Sequence, residues 1–297
     1  LITLRTLQPA ANILSFYAGR VPGESFSSEP NWVDDGAISL GTASYAIIDG
    51  DGALVYDTHV SVETARQIRG ILEQRGITKI TVLLSHWHLD HVAGNEAFAD
   101  CEIISNARTL QHLVDNKTAI EDGSFHGTPA IKPLILPTRT FKGEMDFTLG
   151  KTRMKFIQAN IHSDDASLVW IDDQKILFAG DTMEDTVTYV GEPENFDIHL
   201  GDLDRLWALH PSSVLPNHGH PDVIAKGGYG KSLIRAQQQY IRILRRCASE
   251  PELASQTLRD LISGPLEAGW VNYFAPYERV HEQNLKRASQ SAAIVAI

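Results

Sequence analysis

The stretch Ser85-His86-Trp87-His88-Leu89-Asp90-His91 constrains this chain more than any other. It follows the apolar run Ile80–Leu84, which reads as a buried strand. Three histidines and an aspartate thus fall within six positions of a strand end. In extended backbone, residues two apart point the same way, so His86, His88 and Asp90 share one face. His91 points away unless the chain turns, and Gly94 with the helical stretch Val92–Phe98 provides for that turn. In the helical zinc motif the histidines lie four apart on one helix face; the spacing here belongs instead to a loop at the end of a strand.

Other strands precede and follow this one. A first strand is expected near Ile13–Tyr17, then a meander of Ile38–Leu40, Ser44–Asp49 and Ala53–Asp57 that turns at Gly50-Asp51-Gly52. Glu63–Gln74 carries Ala65, Ile68, Ile71 and Leu72 at helical spacing, and Gly76 closes that helix. Glu102–Ser105 reads as a strand and Ala107–Asn116 as a helix. Lys117–Pro137 is irregular and long enough to cover a site, with His126 read as a loop histidine. Two hairpins follow, Met145–Leu149 with Arg153–Gln158 and Leu168–Ile171 with Lys175–Ala179. Helix Asp202–His210 and strand Ser213–Pro216 come next. Beyond residue 216 no strand is expected; Ser232–Cys247, Leu253–Ile262 and Tyr277–Ala288 read as helices. The β-then-α alternation predicts an α/β domain over 1–227, with a helical C-terminal extension over 228–297 packed on it.

Metal-ligand residue types recur after strands. His162 follows the first hairpin, Asp181 the second, and His218 the strand Ser213–Pro216. Sites in layered α/β folds gather at strand ends, which places these residues near His86–His91. His59 also follows a strand, although a lone histidine is more often structural or outer-shell. The carboxylates between Met183 and Leu200 (Glu184, Asp185, Glu192, Glu194 and Asp197) are expected to form a solvated loop.

The H-x-H-x-D-H motif, followed in order by His162, Asp181 and His218, resembles the metallo-β-lactamase superfamily over about residues 37–220. The resemblance implies a four-layer αββα sandwich of two mixed sheets flanked by helices. It assigns His86, His88 and His162 to one metal and Asp90, His91 and His218 to a second, with Asp181 between them. Two divalent ions are implied, zinc foremost, with manganese or iron as alternatives. Such a pair activates a bridging hydroxide and polarises a carbonyl, and Asp90 would orient that hydroxide and carry its proton to the leaving group. The activity implied is hydrolysis of an ester, thioester or lactone. Asp181 stands where cysteine-ligand β-lactamases carry cysteine, which resembles the thioester hydrolases and lactonases instead. Glu184 stands where acyl-homoserine lactonases have a tyrosine, leaving Tyr189 and Tyr229 as other candidates to reach an oxyanion. Alternatives are β-lactamase activity and a mononuclear iron persulfide dioxygenase.

Composition narrows the partners. A formal net charge of −11 over 297 residues argues against binding to a nucleic-acid backbone. Two cysteines, Cys101 and Cys247, cannot make a disulfide framework. No apolar run reaches the length of about 18 residues that a membrane helix needs. Leu1–Arg5 lacks the apolar region of a signal peptide, and with no initiator methionine a leader could have been removed. The expectation is a cytoplasmic protein acting on a small molecule, with no nucleic-acid or membrane partner and with a homo-oligomer compatible. Trp87, Trp270, Tyr273 and Phe274 could wall an apolar pocket or serve the core or an interface.

Overall fold

The computed structural model describes residues 2–295. Its strands divide between two mixed sheets. The seven-stranded sheet runs in sequence order: β1 Arg5–Ala10, β2 Ile13–Ala18, β3 Thr42–Asp49, β4 Gly52–Tyr56, β5 Lys79–Leu83, β6 Glu102–Asn106 and β7 Arg139–Phe141. Its neighbours are antiparallel as far as β4 and parallel from there on. The five-stranded sheet holds β8 Glu144–Leu149, β9 Thr152–Gln158, β10 Ser167–Ile171, β11 Ile176–Gly180 and β12 Ser213–Pro216, with only β11 and β12 parallel.

Side-chain alternation along the strands fixes the layers. On β2, Leu14 and Phe16 pack with Ile68 and Leu72 of α1 (Val62–Gln74) and Leu113 of α3 (Ala107–Asp122), while the one-turn α2 (Leu89–Val92) lies between these helices in sequence. Ile13 and Tyr17 point the other way, into a cluster with Phe156 and Phe178 of the second sheet. The same period of two puts Val55 on the helix side and Tyr56 on the sheet side. Phe178 meets Tyr45 and Tyr56 edge-on, with centroids 5.3 and 6.0 Å away; truncating it to alanine would cost about 3–5 kcal/mol. Leu203 and Leu206 of α4 (Phe196–Trp207), then Leu233, Ile234 and Tyr240 of α6 (Ser232–Cys247), join the inter-sheet cluster and supply the fourth layer. The short α5 (Pro221–Ala225), α7 (Pro251–Ala254), α8 (Leu258–Leu261) and α9 (Ser263–Glu267) lead to α10 (Tyr277–Val295), whose Tyr277 belongs to the same cluster.

Several local expectations need correcting. Ile38–Leu40 is no strand: Val33–Ile38 forms a π-helical turn, Ser39 N–H donates to Asp34 O, and β3 starts only at Thr42. The edge strands β1 and β7 escaped notice, the first because its half-buried pattern is polar and the second because it has three residues. Helix α3 runs six residues beyond Asn116, to Asp122, where Gly123 adopts φ +79°. The helix expected at Asp202 begins at Phe196, and Leu253–Ile262 is broken before Thr257, which caps α8. The acidic segment is not a solvated loop throughout: Glu184 and Asp185 are buried, whereas Glu194 and Asp197 are exposed. No helix among the described residues is long and apolar enough to cross a membrane.

Candidate metal centre

The ends of β4, β5, β9, β11 and β12 deliver the candidate residues to one place. After β5, Ser85 N–H donates to Asp57 Oδ1 at 2.6 Å, which holds the start of the histidine loop against the end of β4. His91 N–H then donates to His88 O at 3.1 Å, closing the turn that returns His91 to the side of His86. Gly94 makes that turn possible, because a Cβ there would lie 2.0 Å from Thr58 O. At the end of β11, Gly180 has φ +54°, a backbone state glycine adopts freely, and it swings Asp181 out of the strand.

Two donor sets result. In the first, His88 Nδ1 lies 2.9 Å from both His86 Nε2 and His162 Nε2. In the second, Asp90 Oδ2 lies 3.3 Å from His91 Nε2 and 3.2 Å from His218 Nε2. Asp181 Oδ2 sits 3.1 and 3.2 Å from the same two nitrogens. It is also 3.6 Å from His86 Nε2 and 3.8 Å from His162 Nε2, so it stands between the sets. The other oxygen, Asp181 Oδ1, is buried with no hydrogen-bond partner.

These residues fit divalent cations. Donors around a tetrahedral ion at about 2.0 Å are separated by about 3.3 Å, close to the spacing in the second set. Outer contacts set the ring orientations. Nδ1–H of His162 donates to Tyr189 O at 3.0 Å and that of His218 to Gly41 O at 2.8 Å. His91 Nδ1–H donates to Asp57 Oδ2 at 2.9 Å. Each bond proton is thus committed outward, and Nε2 faces the cluster, as in metal-ligating histidines. Burial keeps His86, His88 and His162 neutral, pushing His88 down to about 3 and His162 to about 4. Burial also opposes charge on His91 and His218, but Asp181 outweighs it and holds both well above the ordinary histidine range. Reciprocally, these histidines hold Asp90 and Asp181 well below the carboxylate range despite their burial. A pocket that stabilises two extra protons without a cation has the charge to hold a divalent ion in their place.

Other candidates fall elsewhere. His59 is buried at φ +72°, with Nδ1 accepting from Val60 N–H, and belongs to no donor set among the described residues. Tyr229 is not at the site: its hydroxyl donates to Asp185 Oδ2 at 2.6 Å. Tyr189 does line the cavity, its ring centroid 5.7 Å from that of His162. Glu184 also lines it, accepts from Tyr277 O–H at 2.9 Å, and is pushed up to about 8 by burial. Trp87 and His126 face the cavity, whereas Trp270 and Phe274 pack on the core and Tyr273 O–H donates to Glu278. A further grouping, His112, Asp164 and Asp165, lies nearby, but His112 and Arg108 occupy both Asp164 oxygens at 2.7 and 2.8 Å. Sequence reasoning missed Asp57 and Asn217, which brace His91 from behind. The available signal is an aspartate directly after β4, two residues before His59.

A family model described as the metallo-beta-lactamase superfamily matches residues 39–224. A hydroxyacylglutathione hydrolase of Brucella ovis is 30% identical over 142 residues, 46% of this chain and 48% of its own length. A linear primary-alkylsulfatase of a Pseudomonas species is 22% identical over 211 residues, 58% of this chain and 40% of its own. The chain therefore spans less than half the length of these curated relatives. Among solved structures, a metallo-beta-lactamase from Pontibacter korlensis is similar at TM-score 0.56 and 16% identity, covering 79% of this chain and 100% of that one. The metallo-beta-lactamase FIM-1 of Pseudomonas aeruginosa, in its mono-zinc form, is similar at TM-score 0.59 and 14% identity, covering 80% and 95%. At such identities the likeness to solved structures is one of fold.

Proposed function

This chain belongs to the metallo-beta-lactamase superfamily, and from that premise we propose that it is a two-metal hydrolase of ester, thioester or lactone bonds in a small molecule. The observation that carries the reading is the position of Asp181 Oδ2 between two complete donor sets, one of three histidines and one of Asp90, His91 and His218. His86, His88 and His162 would hold one ion, Asp90, His91 and His218 the other, and Asp181 both. Divalent ions held there would lower the pKa of bound water toward about 7 and polarise the bond to be cleaved.

The chain's own residues do the rest. Asp90 is the most exposed carboxylate of the set, at 17% against 4% for Asp181, and it faces the cavity. Ionised at rest by His91 and His218, it is placed to take up a proton transiently and pass it to a leaving atom. Asp57, Gly41 O and Tyr189 O keep the three imidazoles in the tautomer that exposes Nε2. Leu40 and Pro276, far apart in sequence, both line the cavity beside these groups.

Metal analysis together with turnover on a panel of esters, thioesters, lactones and a chromogenic β-lactam tests this. Two zinc ions per chain and loss of acyl hydrolysis on chelation are expected. One iron per chain with oxygen uptake on a persulfide would overturn the proposal in favour of a dioxygenase. Preferential β-lactam turnover would overturn the substrate class.

A further inference from the structure

The cavity over the donor sets has a volume of about 930 Å³, and its walls differ in chemistry. One wall is aromatic. Trp87 stacks on His112, with centroids 5.0 Å apart and planes at 28°, and meets Phe125 at 5.2 Å. Trp32 lines the same cavity, and its indole N–H is already spent on Pro129 O at 2.9 Å. Trp32, Trp87 and Phe125 are each only partly buried. Because Trp87 lies between His86 and His88 in sequence, this apolar wall begins at the donor sets themselves. Aromatic side chains left partly exposed beside a polar site offer an apolar seat to a ligand.

The remaining wall disfavours anions. Among the described residues lining the cavity there are two arginines, and one of them is paired with a carboxylate. Arg279 forms a bidentate pair with Asp35, Nη2 to Oδ2 at 2.8 Å. Arg287 lies 5.0 Å from the Tyr189 ring centroid and donates to Gly191 O at 3.2 Å. Around them stand Glu192, Glu278 and Glu282, none in an ion pair among the described residues, whereas Asp164 is already paired with Arg108 and His112. Away from the donor sets, the carboxylates of a glutathione thioester, or a sulfate, would meet more unpaired carboxylates than cations, Arg287 being the one arginine there without a carboxylate partner among the described residues.

We propose that the substrate carries no negative charge outside the bond to be cleaved and seats a bulky apolar group, an aryl ring or a medium acyl chain, against Trp32, Trp87 and Phe125. This rests on the acyl-hydrolase reading and names its substrate class. The aromatic wall fixes the group, and because the Trp87 ring lies 5.5 Å from that of His88, this seat adjoins the donor sets.

Calorimetric titration of the zinc-loaded full chain tests it without turnover. The probes are a phenylalkyl methyl ketone, which cannot be hydrolysed, and the same ketone ending in a carboxylate. The uncharged ketone is expected to bind at least about ten-fold more tightly than its anionic counterpart. Trp32→Ala and Phe125→Ala should each weaken it by about ten-fold, and the milder Phe125→Leu by less. Equal or tighter binding of the anionic ketone, absence of binding by either, or unchanged binding in variants with wild-type circular dichroism overturns the inference. Expected binding with no acyl turnover would sink the hydrolase reading alone, while efficient turnover confined to short or anionic substrates would sink only the inference.

Discussion

Replacing Asp57 by asparagine separates the support of the centre from its donors. Asp57 is fully buried; Oδ1 accepts from Ser85 N–H at 2.6 Å, and Oδ2 accepts from His91 Nδ1–H at 2.9 Å and from Asn217 Nδ2. In the variant the amide oxygen keeps the Ser85 bond, but the amide nitrogen now confronts two donors. His91 can escape the clash by changing tautomer, so that Nδ1 accepts and Nε2 carries the proton. That proton then points at Asp181 Oδ2, 3.1 Å away, and Nε2 loses the lone pair a metal needs. Loss of such an outer contact lowers metal affinity about 10–100-fold, or roughly 1.4–2.7 kcal/mol. Zinc competition against a chromophoric chelator should show one weakened site, with the His86–His88–His162 set changed by no more than a few-fold. Alanine is the poorer probe, because it strands three donors at about 1–3 kcal/mol each and confounds affinity with folding. Wild-type zinc affinity at both sites in Asp57→Asn would refute the reasoning.

Three further outcomes follow from other contacts. Burial pushes Asp165 up to about 6 from 3.8, so the folded state binds this proton more tightly than the unfolded chain. Unfolding free energy should therefore fall by about 3 kcal/mol between roughly pH 4 and 6 on this account and stay level above; in Asp165→Asn, whose oxygen can still accept from Ser163, the wild-type-minus-variant difference in urea melts should trace that fall, and parallel curves would reject it. Asn284→Leu should cost about 2–4 kcal/mol in urea unfolding, because Val190 N–H and Thr188 C=O lose their buried partners at 2.8 and 2.9 Å. It should also weaken zinc binding, since the Thr188 hydroxyl holds the backbone carbonyl of Asp181. Chelation should abolish acyl hydrolysis and, if zinc stands at a thousand times its Kd, lower the melting temperature by about 10 °C in calorimetry.

The legible part of the site is the part with local causes. His86, His88, Asp90 and His91 lie on one short loop, and the strand before them announces itself by apolar run alone. His162, Asp181 and His218 each follow a strand, so their convergence could be expected before any distance was known. What stayed hidden has distant causes. Glu184 and Asp185 look like solvent-facing carboxylates because their partners Tyr277 and Asn272 lie 93 and 87 residues away. Asp57 looks like a strand-end turn residue until His91 and Asn217 are seen on either side of it. β1, half-exposed at the sheet edge, has a period-two burial pattern that its own residues, Arg5-Thr6-Leu7-Gln8-Pro9-Ala10, only weakly express.

The seam between residues 182–190 and residues 229–284 bears directly on the centre. Glu184 accepts from Tyr277 O–H, and Asp185 accepts from Asn272 N–H, the Asn272 side chain and Tyr229 O–H. Thr186 O–H donates to Asn272 O and accepts from Phe274 N–H, and Asn284 bonds both Thr188 and Val190. All of these partners lie beyond residue 224, where the family match ends. Each buried bond left unmade costs about 1–3 kcal/mol, and half a dozen together reach the whole stability of a typical domain, about 5–15 kcal/mol. Burial pushes the Glu184 carboxyl up to about 8, which disfavours a second bare charge beside Asp181. The segment that places Asp181 between the two donor sets is thus held by α10 and the turn before it, and the family-matched region does not by itself contain everything that orients the candidate ligands.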